Sequence, residues 1–189
     1  MIVKQITYNE TKPFILGIHY AKRMPSISFA FGLFENEKLI GIVSFGSPAS
    51  APLCKGICGI EHKQKVIELN RLVLLNNKKN QASFLVSRAI KMLPKPKIIV
   101  SYADTAQGHV GYVYQATNFL FTGTSKPRTD MAAKDGKHPR HHLGDSNKRI
   151  ARSAKHRYVY FHATKTDRKK LLKALNYKII GQYPKKTEG

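Results

Sequence analysis

The sequence predicts an α/β (α+β) protein: one mixed central sheet flanked by helices, with a basic C-terminal extension. Three observations predict it. Two apolar runs, 28–34 and 38–45, flank the polar triplet Glu35-Asn36-Glu37 and read as an antiparallel hairpin. Downstream, strand-like apolar runs alternate with segments of helical periodicity, as in a sheet layered against helices. The chain has 189 residues, 42% of them hydrophobic and 10% aromatic, enough to bury a core and to exclude disorder from end to end.

Met1 to Tyr8 alternates weakly and reads as a first strand. Thr11 is an N-cap candidate with Pro13 early in the helix that follows, so residues 12–22 read as helical, with Pro25 beyond their end. After the hairpin, Gly46 to Gly59 is a Pro/Gly/Ala loop, and Val66 to Leu75 is a central strand. Asn80 to Leu93 carries Phe84, Leu85, Ala89 and Met92 near helical spacing and is ended by Pro94. Ile98 to Val100 reads as a short buried strand, Gly111 to Phe121 as a second helix, and Arg157 to Ala163 as another strand. Thr166 is placed to cap a final helix over Asp167 to Asn176, with Leu171, Leu172 and Leu175 on its apolar face. The resulting order, β-α-β-β-β-α-β-α-β-α, is similar to that of GNAT-type acyl-CoA N-acyltransferases, an analogy of topology alone.

Charge divides the chain. Lys and Arg number 33 against 11 Asp and Glu, a formal net charge of +22. Residues 126–189 carry +13 of it in 64 residues, and residues 1–125 carry +9 in 125. Such an excess repels itself and calls for a polyanion, with nucleic acid the first candidate. We therefore expect a catalytic core over 1–125 and a basic DNA-binding segment over 126–189 that completes a single domain. Lys126, Arg128, Arg140, Lys148, Arg149, Arg152, Lys155 and Arg157 are its candidate phosphate contacts. No apolar run approaches the ~20 residues of a membrane span. The N-terminal residues lack the apolar core of a secretion signal, and Cys54 and Cys58 do not make a disulfide framework. The expected location is the cytoplasm, with no membrane partner.

Three segments carry chemistry. Ser101 to Phe119 starts at the end of an apolar strand, where open α/β sheets bind ligands, and crowds Asp104, His109, Tyr102, Tyr112 and Tyr114 together. His19-Tyr20 ends a helix beside Lys22 and Arg23. Glu68 and Arg71 sit within an otherwise apolar strand, so they either pair with each other's surroundings or face a site. The turn Asn76 to Ser83 joins strand to helix and offers amides and Lys78 and Lys79 to an anion, the place where GNAT folds hold the CoA pyrophosphate. Cys54-x3-Cys58-x3-His62 fits no familiar zinc spacing, and His138 to His142 reads as part of a DNA-facing loop.

His19-Tyr20 with Arg23 and Pro25, Glu68-Leu69-Asn70-Arg71-Leu72, Ser101-Tyr102-Ala103-Asp104, Gly108-His109-Val110-Gly111 and Tyr114-Gln115-Ala116-Thr117-Asn118 together resemble the Mom family of phage and prophage DNA-modification proteins. The resemblance covers residues 10–125 well and continues loosely beyond. It implies a GNAT-like fold and conversion of adenine in double-stranded DNA to its N6-carbamoylmethyl (acetamido) form, which protects phage DNA from host restriction. It implies acetyl-CoA or a related acyl donor, and a bound iron. By this resemblance His19, Tyr20, Asp104 and Tyr114 are the site residues, His19, Tyr20 and Asp104 the iron ligands, and Arg71 and Ser83 the donor contacts. Imidazole, carboxylate and phenolate suit iron. Adenine's exocyclic amine is a poor nucleophile, so Asp104 or His109 is expected as its base, with Tyr112 or Tyr114 stacking on an extruded adenine or packing in the core, and Phe119 expected in the core. A homodimer stays open. Two rivals stand beside this reading: an N-acetyltransferase acting on another amine, and a non-catalytic basic DNA-binding protein.

Overall fold

The computed structural model describes residues 1–131 and 149–186. Among these residues, nine strands and five α-helices follow in chain order. They are β1 Ile2–Gln5, α1 Tyr8–Lys12, β2 Phe29–Glu35, β3 Lys38–Gly46, α2 Ala51–Cys58, β4 Val66–Leu74, α3 Gln81–Met92, β5 Lys97–Asp104, α4 Tyr112–Ala116, β6 Leu120–Thr124, β7 Arg128–Met131, β8 Arg149–Arg152, β9 Lys155–His162 and α5 Lys165–Lys173. Seven strands form one sheet in the order β1-β2-β3-β4-β5-β9-β6, and β7 and β8 form a separate ribbon. Among the described strands only β4 and β5 run parallel. The hairpin over 28–45 and the strand–helix–strand unit β4-α3-β5 stand where the sequence puts them.

Period-two alternation sends β5 side chains to opposite faces. Ile99 and Ala103 join Phe31, Val43, Leu85, Ala89 and Tyr158 in the core under α3. Ile98 and Val100 join Ile57, Val159, Phe161 and Leu171 under α2 and α5. β9, from the basic C-terminal third, lies between β5 and β6 in the sheet.

Several expectations need correction. The first helix starts at Tyr8, because Thr7 and Glu10 close a capping box upstream of Thr11. Thr11 is buried inside that helix, and from Pro13 the backbone widens into a π-helix over Pro13–Ile18. The loop expected over 46–59 contains α2, capped by the Ser50 side chain with a proline in its first turn. The helix expected over 111–121 stops at Ala116. Thr117 Oγ1 donates back to Val113 O, and Asn118 takes a left-handed conformation, so Leu120–Thr124 turns into a strand. The strand at 98–100 runs on to Asp104. Thr164, not Thr166, caps α5. Within the basic segment, Arg128–Met131 and Arg149–Arg152 are strands, while Arg140, Lys148 and His138 to His142 lie outside the described residues.

Candidate active site

The site lies where the parallel strands part. β4 pairs with β5 only from Val66↔Ile98 to Glu68↔Val100. Beyond that, β4 continues along β3 and β5 continues along β9. Ser101 Oγ bridges the first step of the opening by donating to Leu69 O at 2.9 Å. The opening is therefore a wedge, walled by Asn70 and Arg71 on one strand and by Ser101 to Asp104 on the other.

Two segments close over it. The chain from His19 to Ser28 is tied down by β3 and β4: Arg71 donates to Arg23 O at 2.9 Å, Asn70 Nδ2 donates to Ser26 O at 2.7 Å, and Ser28 N donates to Phe45 O at 2.7 Å. Asn70 is itself oriented by Ser44 Oγ, which donates to its Oδ1 at 2.7 Å. Gly46 permits this close approach, since a Cβ there would sit 1.9 Å from Ser26 O, a backbone atom. Gly46→Ala is expected to cost about 1–3 kcal/mol by forced repacking. A thermal melt unchanged from the parent would contradict the close contact.

The second segment follows β5. Asp104 caps a short 3-10 turn over Thr105–Gln107, and the chain returns through Gly108 to His109, whose N–H donates to Asp104 O. There it meets the first segment: Tyr20 stacks on His19 with ring centroids 4.4 Å apart and meets His109 edge-on at 5.9 Å. Tyr114 sits deeper, its ring 5.1 Å from Tyr158 and 5.4 Å from Phe119. The structure thus brings His19, Tyr20, His109, Arg71, Asp104 and Tyr114 to one wedge. Phe119 is fully buried and cannot stack on a base, whereas Tyr112 is exposed.

Charge in the wedge is uneven. Glu68, at the last paired step, has its carboxyl raised in pKa by burial, against the lowering charges of Arg71 and Lys155 and a hydrogen bond from Ala49 N. The sequence flagged Glu68 only as a charge inside an apolar strand, and the structure places it at the fork. Asp104 is different. Burial raises its pKa, but hydrogen bonds from Ser153 and Lys155, the charge of Lys155 and the Ala106 N–H together hold it below the ordinary aspartate range. Lys155 Nζ lies 3.1 Å from its Oδ2. A carboxylate so occupied is a weak base and a positioning group. Tyr20 is raised by burial and by Asp104. Burial pushes Tyr114 up to about 12, so both phenols are neutral hydroxyls at pH 7.

The His19 ring bears on the implied iron. Burial, then Arg71 and His109, lower its pKa to about 4, so it is neutral at pH 7. Its Nδ1 accepts from Ala21 N at 3.0 Å, which leaves the proton on Nε2. A metal-bound imidazole does the reverse, donating from its second nitrogen to an acceptor. Both Asp104 oxygens already hold partners. Among the described residues no three His, Cys, Asp or Glu side chains form a metal-holding group. His19, Tyr20 and Asp104 as arranged do not fit iron, and no step is routed through it. Cys54 and Cys58 stand apart on α2, Cys58 buried against Leu171.

The residues do fit a donor with an extended, amide-bearing arm. The strand edges facing the wedge are not paired with each other, and the Nε of Arg71 is buried with no partner among the described residues. At the base of α3, Asn80 is left-handed and makes no side-chain cap, while Ser83 Oγ donates to Asn80 O at 3.1 Å. Gln81 N donates to Lys78 O at 3.2 Å, and the Ala82 and Ser83 amides follow it at the same helix start beside Lys79 and Lys78, the latter 3.4 Å from Glu35.

Among the candidate DNA contacts, Lys126, Arg128 and Arg149 are exposed and Arg152 is half-buried. Arg157 is engaged within the fold: it lies 3.4 Å over the Tyr177 ring and donates to Thr122 O at 2.9 Å. Among the described residues no helix is long and apolar enough to cross a membrane.

Known structures share this fold. A Bacillus subtilis acetyltransferase in complex with CoA superposes with a TM-score of 0.51 at 12% identity, covering 84% of this chain and 97% of that one. An N-acetyltransferase from Staphylococcus aureus Mu50 gives 0.52 at 16% identity, covering 85% and 98%. The YncA protein of Salmonella typhimurium, solved with its cofactor acetyl-CoA, gives 0.53 at 11% identity, covering 86% and 94%. The fold is thus GNAT-like. In sequence, the chain is 30% identical over 112 residues to the methylcarbamoylase Mom of Escherichia phage Mu, covering 56% of this chain and 46% of that protein, so the match spans about half of that relative's length. The sequence model of the Mom protein family matches residues 1–185. On that match the chain belongs to the Mom protein family.

Proposed function

We propose that this protein is a transferase that modifies adenine in double-stranded DNA at N6, forming N6-carbamoylmethyl (acetamido) adenine and so shielding phage DNA from host restriction. The observation that carries the reading is the wedge between β4 and β5, with Glu68 at its fork and His19, Tyr20, Arg71, Asp104 and Tyr114 around it. Family membership and the methylcarbamoylase relative support it.

Arg71, Ser83 and the first amides of α3 hold an acetyl-CoA-type donor. When bound, the donor would supply the whole carbamoylmethyl unit: the bond from its methylene carbon to the leaving group breaks as the bond to N6 forms, and the amide nitrogen arrives with the donor, since plain acetyl transfer would give N6-acetyladenine with the CoA thiol leaving. The target adenine leaves its base pair to reach the wedge, with exposed Tyr112 as its stacking partner. Its amine lone pair is delocalised into the ring, so a base must take the amine proton as the C–N bond forms. Glu68 takes that proton. His19, neutral and protonated on Nε2, donates a hydrogen bond to developing negative charge, as do the Tyr20 and Tyr114 hydroxyls. Asp104 holds the end of β5 and the start of β9 in register. Lys126, Arg128, Arg149 and Arg152 face the duplex. The protein acts in the cytoplasm of the host cell.

DNA from cells expressing the protein is expected to resist endonucleases that cut at adenine-bearing sites. Full cutting, with the protein demonstrably soluble, would overturn the reading. Hydrolysis of acetyl-CoA stimulated by other amines but not by DNA would favour an ordinary N-acetyltransferase.

A further inference from the structure

We propose that the β7–β8 ribbon is an arm that lies in the major groove of double-stranded DNA and sets the adenine amine before the wedge. The inference rests on the reading of the protein as a DNA-adenine transferase and names how the duplex is held.

The arm is not an independent hairpin. β6 pairs with β9 at Thr124↔His156, and Ser125 N donates to Lys155 O at 2.9 Å while Lys155 N donates to Ser125 Oγ at 3.0 Å. Past Pro127, which has no N–H to give the ladder, the pairing resumes at Arg128↔Arg152 and runs to Met131↔Arg149. Each step outward on one strand matches one step inward on the other, so β7 and β8 keep the register of the pair at Thr124↔His156. The ladder of β6 and β9 thus continues out of the sheet as a two-stranded ribbon, about 23 Å from Thr124 to Met131 at ~3.3 Å per residue.

Its base is fastened to the site. Thr105 donates to Ala154 O through both its N–H, at 3.2 Å, and its Oγ1, at 2.7 Å. Ser153 donates to Asp104, and Lys155 is paired with the same carboxylate. Three consecutive residues at the arm's root, Ser153, Ala154 and Lys155, therefore grip the end of β5. A duplex held by the arm is held in register with the wedge.

The arm's surface suits a groove rather than a core. Among the described side chains, those of Arg128, Thr129 and β8 belong to none of the hydrophobic clusters. Alternation places Arg128, Ile150 and Arg152 on one face and Thr129, Ala151 and Arg149 on the other, with Arg149 donating to Thr129 Oγ1 at 3.3 Å. Cations on both faces of a narrow ribbon suit a channel with phosphates on both walls. The major groove, about 12 Å wide, admits a two-stranded ribbon, and the minor groove, about 6 Å wide, is far tighter. Adenine N6 lies on the major-groove edge. Exposed Ile150, which shares its face with Arg128 and Arg152 and sits at the register position opposite Asp130, matches the thymine methyl found on that edge.

The test uses the whole protein and a fluorescent DNA duplex, followed by anisotropy. Methyl green, a major-groove ligand, is expected to displace the protein, and netropsin, a minor-groove ligand, is not. The triple variant Lys126→Ala, Arg128→Ala, Arg149→Ala is expected to bind the duplex about tenfold or more weakly, with a salt dependence shallower by about 2–3 units of slope. Its acetyl-CoA affinity and melting temperature should match the parent's. Failure of the parent to bind duplex DNA overturns the functional reading itself. Binding by the parent that netropsin displaces, or that the triple variant retains in full, overturns the arm alone. The groove competition is read on the parent, so it decides even if the variant folds poorly.

Discussion

Glu68→Gln is expected to reduce adenine modification by roughly 10²–10⁴-fold, the usual contribution of a general base. DNA and acetyl-CoA affinities should stay at parental levels. Gln preserves the shape and can still accept from Ala49 N, but it cannot take a proton. Because burial raises the Glu68 pKa, its carboxylate forms only as pH rises beyond the ordinary glutamate range. The parental rate should therefore climb with pH along a limb that lies above about 4.3, the usual glutamate value, and Gln should abolish that limb. Stability adds a second readout. A raised folded-state pKa contributes stability that is full below the unfolded pKa and is lost as pH rises through the folded one. Above its raised folded-state pKa the ionised Glu68 is a net burden on the fold, so in that pH range the Gln variant should melt at or above the parental temperature. Loss of activity with equal or higher stability marks a residue kept for chemistry. Undiminished modification by the variant would remove Glu68 from the mechanism.

Asp104→Ala is expected to cost about 2 kcal/mol, the scale of losing hydrogen bonds to a mostly buried charge. For a chain of this size that is a fall of about 4–8 °C in melting temperature. It leaves Lys155 and Ser153 without their shared acceptor, so the root of the arm loosens from β5. Modification should fall with it, through misplacement of the duplex. The sign of the pH dependence is opposite to that of Glu68. Asp104 is held below the ordinary range, so its contribution is present above the unfolded aspartate value and is lost as pH falls through the folded one. Melting curves of parent and variant should differ at neutral pH and converge in acid. A variant that melts with the parent at neutral pH would mean the Lys155 pair holds nothing.

The elements that could be read from the sequence are those decided by local pattern. The 28–45 hairpin and the β4-α3-β5 unit rest on alternation, helical spacing and Pro94, and tertiary packing reinforced each. Capping was read one turn late, because Thr11 resembles a cap while Thr7 actually closes the box with Glu10. α2 hid inside a Pro/Gly/Ala stretch whose Ser50 cap and early proline are its start signal. The placement of β9 between β5 and β6 is non-local pairing, which no window of sequence contains. At the site, the crowding of Ser101 to Phe119 was legible. The fork that places Glu68 at the site was not, because it depends on where two strands stop pairing. The ring orientation of His19, which turns Nε2 into a donor, likewise depends on one backbone contact with Ala21.

Mass spectrometry of nucleosides digested from the DNA of expressing cells tests the central claim most directly. The account predicts a new deoxyadenosine carrying a carbamoylmethyl group at N6, present with the parent protein and lost with Glu68→Gln. An adenine pool left unmodified by soluble, folded parent protein would contradict it.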